Sequence, residues 1–130
     1  MNESDYIMKL IKSSTQLLVT IFSGKNAMDS LVNEQNGNVT ISENDLLSIM
    51  LNNYINAGKI NEAENMIFEH IEICKSPFNL QIALSFYKKL NLWSDDKLAK
   101  CNFSRNEIVE GLRDVKKYMN KISLVKVKCL

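Results

Sequence analysis

The sequence predicts an all-α protein, one domain of five to six helices over residues 1–130. Three observations predict it. The first is a scarcity of breakers. Four Gly and one Pro in the whole chain favour long uninterrupted elements over a many-turned β fold. The second is the stripe Ile108, Leu112, Val115, Met119 and Ile122, whose 4-3-4-3 spacing returns apolar side chains to one helix face. The third is the stretch Ser42 to Pro77, in which two helix-periodic segments meet at Ala57-Gly58-Lys59. A hydrophobic fraction of 45% and a charged fraction of 24% are ordinary for a globular domain.

The N-terminal helix is expected over 5–22, capped by Ser4 or Asn2 and ended by Gly24. Its apolar residues, from Tyr6 to Phe22, cover more of the helical wheel than one-sided packing requires. It is therefore wedged between helices of its own chain or shared with a second subunit, with a membrane-surface helix third because its polar edge holds only Lys9 and Lys12. A short helix over Ala27 to Gln35 and a turn at Asn36-Gly37-Asn38 follow.

The central hairpin is expected over 42–75. Ser42 is a good N-cap, with Glu43 and Asp45 in the first turn. Leu46, Leu47, Met50, Leu51 and Tyr54 are the expected apolar face. Gly58 stands where a left-handed residue ends a helix. Asn61 and Glu64 have capping-box spacing for the second helix. Ala63, Ile67, His70, Ile71 and Cys74 then form one face, and small Ala63 permits a close approach.

The C-terminal helices are expected over 77–122. Ser76-Pro77 is a cap followed by a first-turn proline. The helix it opens, to about Leu90, has little polar surface and reads as the most buried. Ser94-Asp95-Asp96 caps a short piece reaching about Lys100. Ser104-Arg105-Asn106-Glu107 is a full capping box opening the last helix. Gly111 lies inside that helix at some cost, which marks a close helix contact. Residues 123–130 form a tail.

Charge excludes some roles. Sixteen Lys and Arg balance 15 acids, for a net charge of +1, so no basic field draws in nucleic acid. The run Leu17 to Phe22 is too short for a signal core or a membrane span. Cys74, Cys101 and Cys129 are odd in number and widely spaced, which reads as reduced thiols in a cytoplasmic protein rather than a disulfide framework, with a redox or intersubunit thiol at Cys129 as the alternative.

The residues LNNYINAGKINEAENMIFEHIEICKSP resemble a tetratricopeptide-repeat hairpin, carried by Tyr54, Gly58, Ala63, Ile67 and Pro77. His70 and Leu51 depart from the repeat, and Lys97 and Cys101 fall where Ala63 and Ile67 should recur. The resemblance thus implies one repeat-like hairpin, not a solenoid. Beyond it, YIMKLI, FSGK, GKINEAENMIFEHI and NFSRNEIVEGLRDV resemble a family of small uncharacterised bacterial helical proteins, which implies no activity.

No catalytic constellation is visible, and no cofactor is expected. No GxxxxGK[ST], GxGxxG or HExxH occurs. Asp95-Asp96 fits helix N-terminal charge, and Arg113, Lys116, Lys117 and Lys121 fit a solvated face. Tyr87, Trp93 and Phe103 fit a core. His70 and Cys74 stand at i and i+4 and could ligate a metal on one face, but nothing supplies the remaining ligands. The expectation is a non-enzymatic protein–protein interaction or assembly module with a protein or peptide partner, able to self-associate through its first or last helix. A small metal-binding or enzymatic protein centred on His70 and Cys74 is the alternative.

The candidate surface is the stripe Ser48, Asn52, Ile55 and Asn56 on the first hairpin helix, with Lys59 at its end. The repeat resemblance implies that this side lines a peptide groove beside Ile82, Phe86 and Lys89. Asn amides both donate to and accept from an extended peptide backbone. A carboxylate clamp is not implied, because Ser48 takes the place of the required cation.

Overall fold

The stripe in the last helix is buried in full as far as Met119: Ile108, Leu112, Val115 and Met119 are at most 2% exposed. A computed structural model describes residues 3–22 and 43–124. All six described elements are helices: α1 (Glu3–Phe22), α2 (Glu43–Asn56), α3 (Ile60–Ile73), α4 (Pro77–Asn91), α5 (Asp95–Lys100) and α6 (Arg105–Leu124). They form one helical bundle around a single apolar cluster. The expected helix over 27–35, the 36–38 turn, the Ser42 cap and the tail after Leu124 lie outside the described residues.

α1, α4 and α6 pack pairwise on one another and form the centre of the bundle. This accounts for the wide apolar arc of α1. Ile7, Ile11, Ser14 and Leu18 are buried between two helices of the same chain. Each such aliphatic burial contributes roughly 1.5–3 kcal/mol. The expected close contact at Gly111 is present: a Cβ there would lie 2.0 Å from the Tyr87 hydroxyl oxygen. α2 and α3 form an antiparallel hairpin, α3 also packs on α4, and α2 touches α4 more lightly.

Helix ends follow local chemistry. The Ser76 side chain accepts from the Asn79 N–H at 3.1 Å, and Ser94 from that of Lys97 at 3.1 Å. Ser104 accepts from the Glu107 N–H at 3.3 Å while Glu107 accepts from that of Ser104 at 2.8 Å, so both halves of the capping box form. α2 ends at Gly58, φ +76°. The Lys59 N–H reaches the Tyr54 carbonyl and the Gly58 N–H that of Ile55, the paired bonds of a Schellman motif. The same pair closes α5: Phe103 N–H to Leu98 and Asn102 N–H to Ala99, around Asn102 at φ 57°. Phe103 and Leu98 are both buried, as the accompanying hydrophobic contact requires.

Three expectations are corrected. α3 starts two residues early, with Lys59 rather than Asn61 as an N-cap that makes no side-chain cap bond. Asn61 instead donates to the Asn102 carbonyl at 3.2 Å, and Glu64 takes the Tyr87 hydroxyl, so long-range partners replace the local box. The buried face of α2 is rotated. Leu47, Leu51 and Ile55 are buried, while Leu46 and Met50 are 51% and 39% exposed. The 47-51-55 ridge gives a continuous i+4 line, the natural ridge for a helix that lies against only one layer. Finally, Cys74 is disulfide-bonded, whereas Cys101 is a free thiol as expected. Cys74 follows α3 in extended backbone, which frees its side chain from the helical face.

Candidate docking groove

α2 lies against the bundle along one ridge, so its flank toward α4 stays open. A groove of about 200 Å³ runs between the two helices. Leu51, Ile55, Ile82 and Phe86 supply apolar walls, and Ser48, Asn52, Ser85 and Lys89 supply polar ones. Leu51, Ile55 and Phe86 are core residues at 5%, 7% and 4% exposure, and Ile82 is half-buried. The floor is therefore the outer surface of the core itself. Asn52, Ser85 and Lys89 are exposed and Ser48 is half-buried.

Six of the seven residues expected on sequence grounds line this groove: Ser48, Asn52, Ile55, Ile82, Phe86 and Lys89. Asn56 is exposed but is not among the lining residues. Ile55 takes part as floor rather than as polar stripe. Leu51 and Ser85 were not anticipated. The signal for Ser85 was its place three residues after Ile82 and four before Lys89, on the same side of α4. No carboxylate is among the described lining residues, and Lys89 is the one ionisable group among them.

The polar groups behind the groove hold the helices in place. Tyr87 donates its hydroxyl to the Glu64 carboxylate at 2.6 Å. Burial pushes the Tyr87 hydroxyl well above its usual range, so it remains a donor. Burial also raises the Glu64 carboxyl, and the Tyr87 bond only partly offsets this. At the far end of α4, Arg105 donates to the Asn91 side chain at 2.9 Å, the Asn91 carbonyl at 3.2 Å, the Trp93 carbonyl at 2.6 Å and Asp95 at 2.7 Å. The buried Asn91 amide donates onward to the Ser4 carbonyl at 3.1 Å, tying in the start of α1.

The His70 and Cys74 pair is placed differently. The Nδ1 of His70 lies 3.0 Å from the Met66 carbonyl, which can only accept, so Nδ1 carries the proton. Asn79 donates to the His70 and Cys74 carbonyls at 3.3 and 2.9 Å and closes the end of α3. The sulfur of Cys74 is committed to a disulfide. Among the described residues no group of three or more His, Cys, Asp or Glu is placed to hold a metal, and no helix is long and apolar enough to cross a membrane.

Fold and groove together define a small all-α bundle with an open, apolar-floored groove at its edge hairpin. The chain belongs to DUF6483, a family of unknown function, whose model matches residues 1–120. The chain matches no curated protein and no solved structure.

Proposed function

We propose that this protein is a non-enzymatic protein–protein interaction module that takes an apolar side chain of a partner peptide into the α2–α4 groove. One observation carries the reading: core side chains floor an open groove whose rim is polar and rich in hydrogen-bonding groups. That composition suits a segment that inserts one anchor and pairs its backbone with Asn52, Ser48 and Ser85. A site of about 200 Å³ is of the order of the ~150 Å³ that accepts one benzene-sized group. The likeness of the α2–α3 hairpin to a tetratricopeptide repeat supports the same reading by analogy. Self-association has less surface to use on α1, whose inner stripe is spent on the monomer core and which leaves Tyr6, Met8 and Val19 exposed.

Selection of peptides on the immobilised protein tests this. Enriched peptides share one large apolar anchor, and Ser48→Trp, which fills the groove from its rim, weakens them roughly tenfold or more. Asn52→Asp gives a smaller loss. Peptides that bind Ser48→Trp and Asn52→Asp as well as the parent would place the binding surface elsewhere.

A further inference from the structure

α4 presents a second open side. Its exposed ridge consists of Gln81, Ser85, Lys88, Lys89 and Leu92, spaced as one face of a helix. Ile82 and Phe86 flank the ridge toward α2. On the opposite flank, toward α1, lies a groove of about 410 Å³ whose walls include Met8, Ile11, Lys12, Gln16 and Lys88, with Lys9 beside them. Ile11 is core at 5% exposure, and Met8 is 37% exposed. Neither groove has a carboxylate among its described lining residues. In a chain with nearly equal acids and bases, this is a segregation. Glu64, which feels the charges of Glu107, Glu110 and Asp114, sits behind α4 against Tyr87, on the buried side of that helix.

We propose that the two grooves form one docking face, with α4 as its central ridge, for an acidic amphipathic helix of a partner protein. This rests on the docking role of the α2–α4 groove and adds the partner's pattern and charge. Both grooves draw lining residues from α4, and a helix with its side chains is about 10 Å across. Two apolar residues at i and i+7 of a helix are about 10.5 Å apart. Such a partner places one anchor against Ile82 and Phe86 and the other against Met8 and Ile11. Acids at i+3 and i+4 fall on the same side between the anchors, over the ridge that carries Lys88 and Lys89. Lys12 extends the cationic lining on the α1 side. Exposed lysines contribute mainly to the sign of charge accepted and to the rate of encounter, and salt weakens both.

The test uses a labelled synthetic helical peptide with Leu at i and i+7 and Glu at i+3 and i+4, followed by fluorescence anisotropy. Gln and Lys versions at the two acidic positions are the comparisons. The Glu peptide binds best. Lys88→Glu with Lys89→Glu, both at exposed positions, weakens it on the order of tenfold at about 0.1 M salt and far less at about 1 M. The same double variant gains affinity for the Lys peptide. Circular dichroism confirms that the variant stays folded. If all three peptides bind alike and only Ser48→Trp weakens them, the acidic partner is overturned while the groove stands. If no peptide binds, or if only vesicles containing phosphatidylserine bind, the proposal is overturned.

Discussion

The α1–α4–α6 centre and the α2 edge differ in what their neighbours demand of them. In the centre each helix is packed on two sides, and its apolar stripe leaves little freedom. Leu80, Leu90, Ile108, Val115 and Met119 are fully buried. At the edge, α2 buries one ridge and leaves Leu46, Ile49 and Met50 at 51%, 47% and 39% exposure. The rigid centre supplies a fixed surface, and the open site forms where a loosely attached helix fails to cover it. A matched pair of truncations tests this difference most directly. Leu112 and Leu47 are equally buried, at 2% and 3% exposure. Leu112→Ala should cost about 4 kcal/mol, because a site packed from several sides cannot collapse into the void. Leu47→Ala should cost about 2–3 kcal/mol, because α2 can shift to fill it. Equal losses in urea unfolding would break the comparison.

The next effect belongs to Arg105. Its guanidinium serves two acceptor atoms of Asn91 at the end of α4, one of Trp93 in the turn that follows and one from α5, and its charge partner Asp95 is itself well exposed. Arg105→Ala leaves the Asn91 and Trp93 carbonyls and the buried Asn91 side chain short of a donor. The expected loss is about 2–3 kcal/mol. Arg105→Lys should recover only part of it, since a single ammonium cannot reproduce the fork. Asp95→Ala should be nearly silent, because an exposed ion pair contributes little. A loss from Asp95→Ala as large as that from Arg105→Ala would show that the ion pair matters, not the backbone acceptors.

Gly111→Ala comes next, at about 1–3 kcal/mol. The added Cβ would fall 2.0 Å from the Tyr87 hydroxyl oxygen and 2.3 Å from the ring carbon that bears it. Tyr87 is fully buried and bonded to Glu64, so it cannot swing aside without exposing or stranding its hydroxyl. At an ordinary exposed helix site the same change would stabilise the protein by roughly 1 kcal/mol. The sign of the measured change therefore reads the contact directly.

Legibility in the sequence followed the same division. The 108-112-115-119 stripe and the Ser76, Ser94 and Ser104 caps were readable because each depends on neighbours within one or two turns, and the Gly111 contact was readable because a glycine inside a helix marks a close approach, though not its partner Tyr87. The face of α2 was not. Apolar residues at 46, 47, 49, 50, 51, 54 and 55 circle most of the helix, and only tertiary packing chooses among them. Asn102 at positive φ was missed because the sequence marks Gly more plainly than Asn as a left-handed cap. Asn61 and Glu64 had cap spacing but found partners 41 and 23 residues away, which no local pattern records. Most of the groove's residues were visible because helix spacing puts 48, 52 and 55 on one side of α2 and 82, 86 and 89 on one side of α4, while the repeat resemblance implied that the two sides lie together. The α1 flank was not visible, since nothing in the sequence states that Lys88 faces Met8.

Glu64 sharpens the comparison through pH. Its carboxyl is raised by burial, and Glu107, Asp114 and Glu110 add to the rise. The folded chain therefore holds this proton more tightly than the unfolded chain. Glu64 makes stability fall as pH rises from about 4.5, its ordinary value, through its folded pKa. Glu64→Gln keeps an acceptor for the Tyr87 hydroxyl without the buried charge. The two proteins should match near pH 4, and the Gln form should be the more stable at pH 7. A Gln form less stable at pH 7 would mean that the charged bond to Tyr87 outweighs burial.

The smallest effect is the most informative about the edge. Leu46→Lys and Met50→Lys place charges on the face of α2 that the sequence pattern assigned to the core. If that face is open, each change stays within about 0.5 kcal/mol, the usual range for surface substitutions away from packed features. Helix propensity is no obstacle, since Lys is nearly as good a helix former as Leu or Met. Groove binding should be unaffected, because neither residue lines the groove. A loss above about 2 kcal/mol would mean that Leu46 and Met50 are covered in solution. α2 would then be packed on both flanks, and the looseness invoked to explain the open groove would have to come from the α2–α4 contact alone.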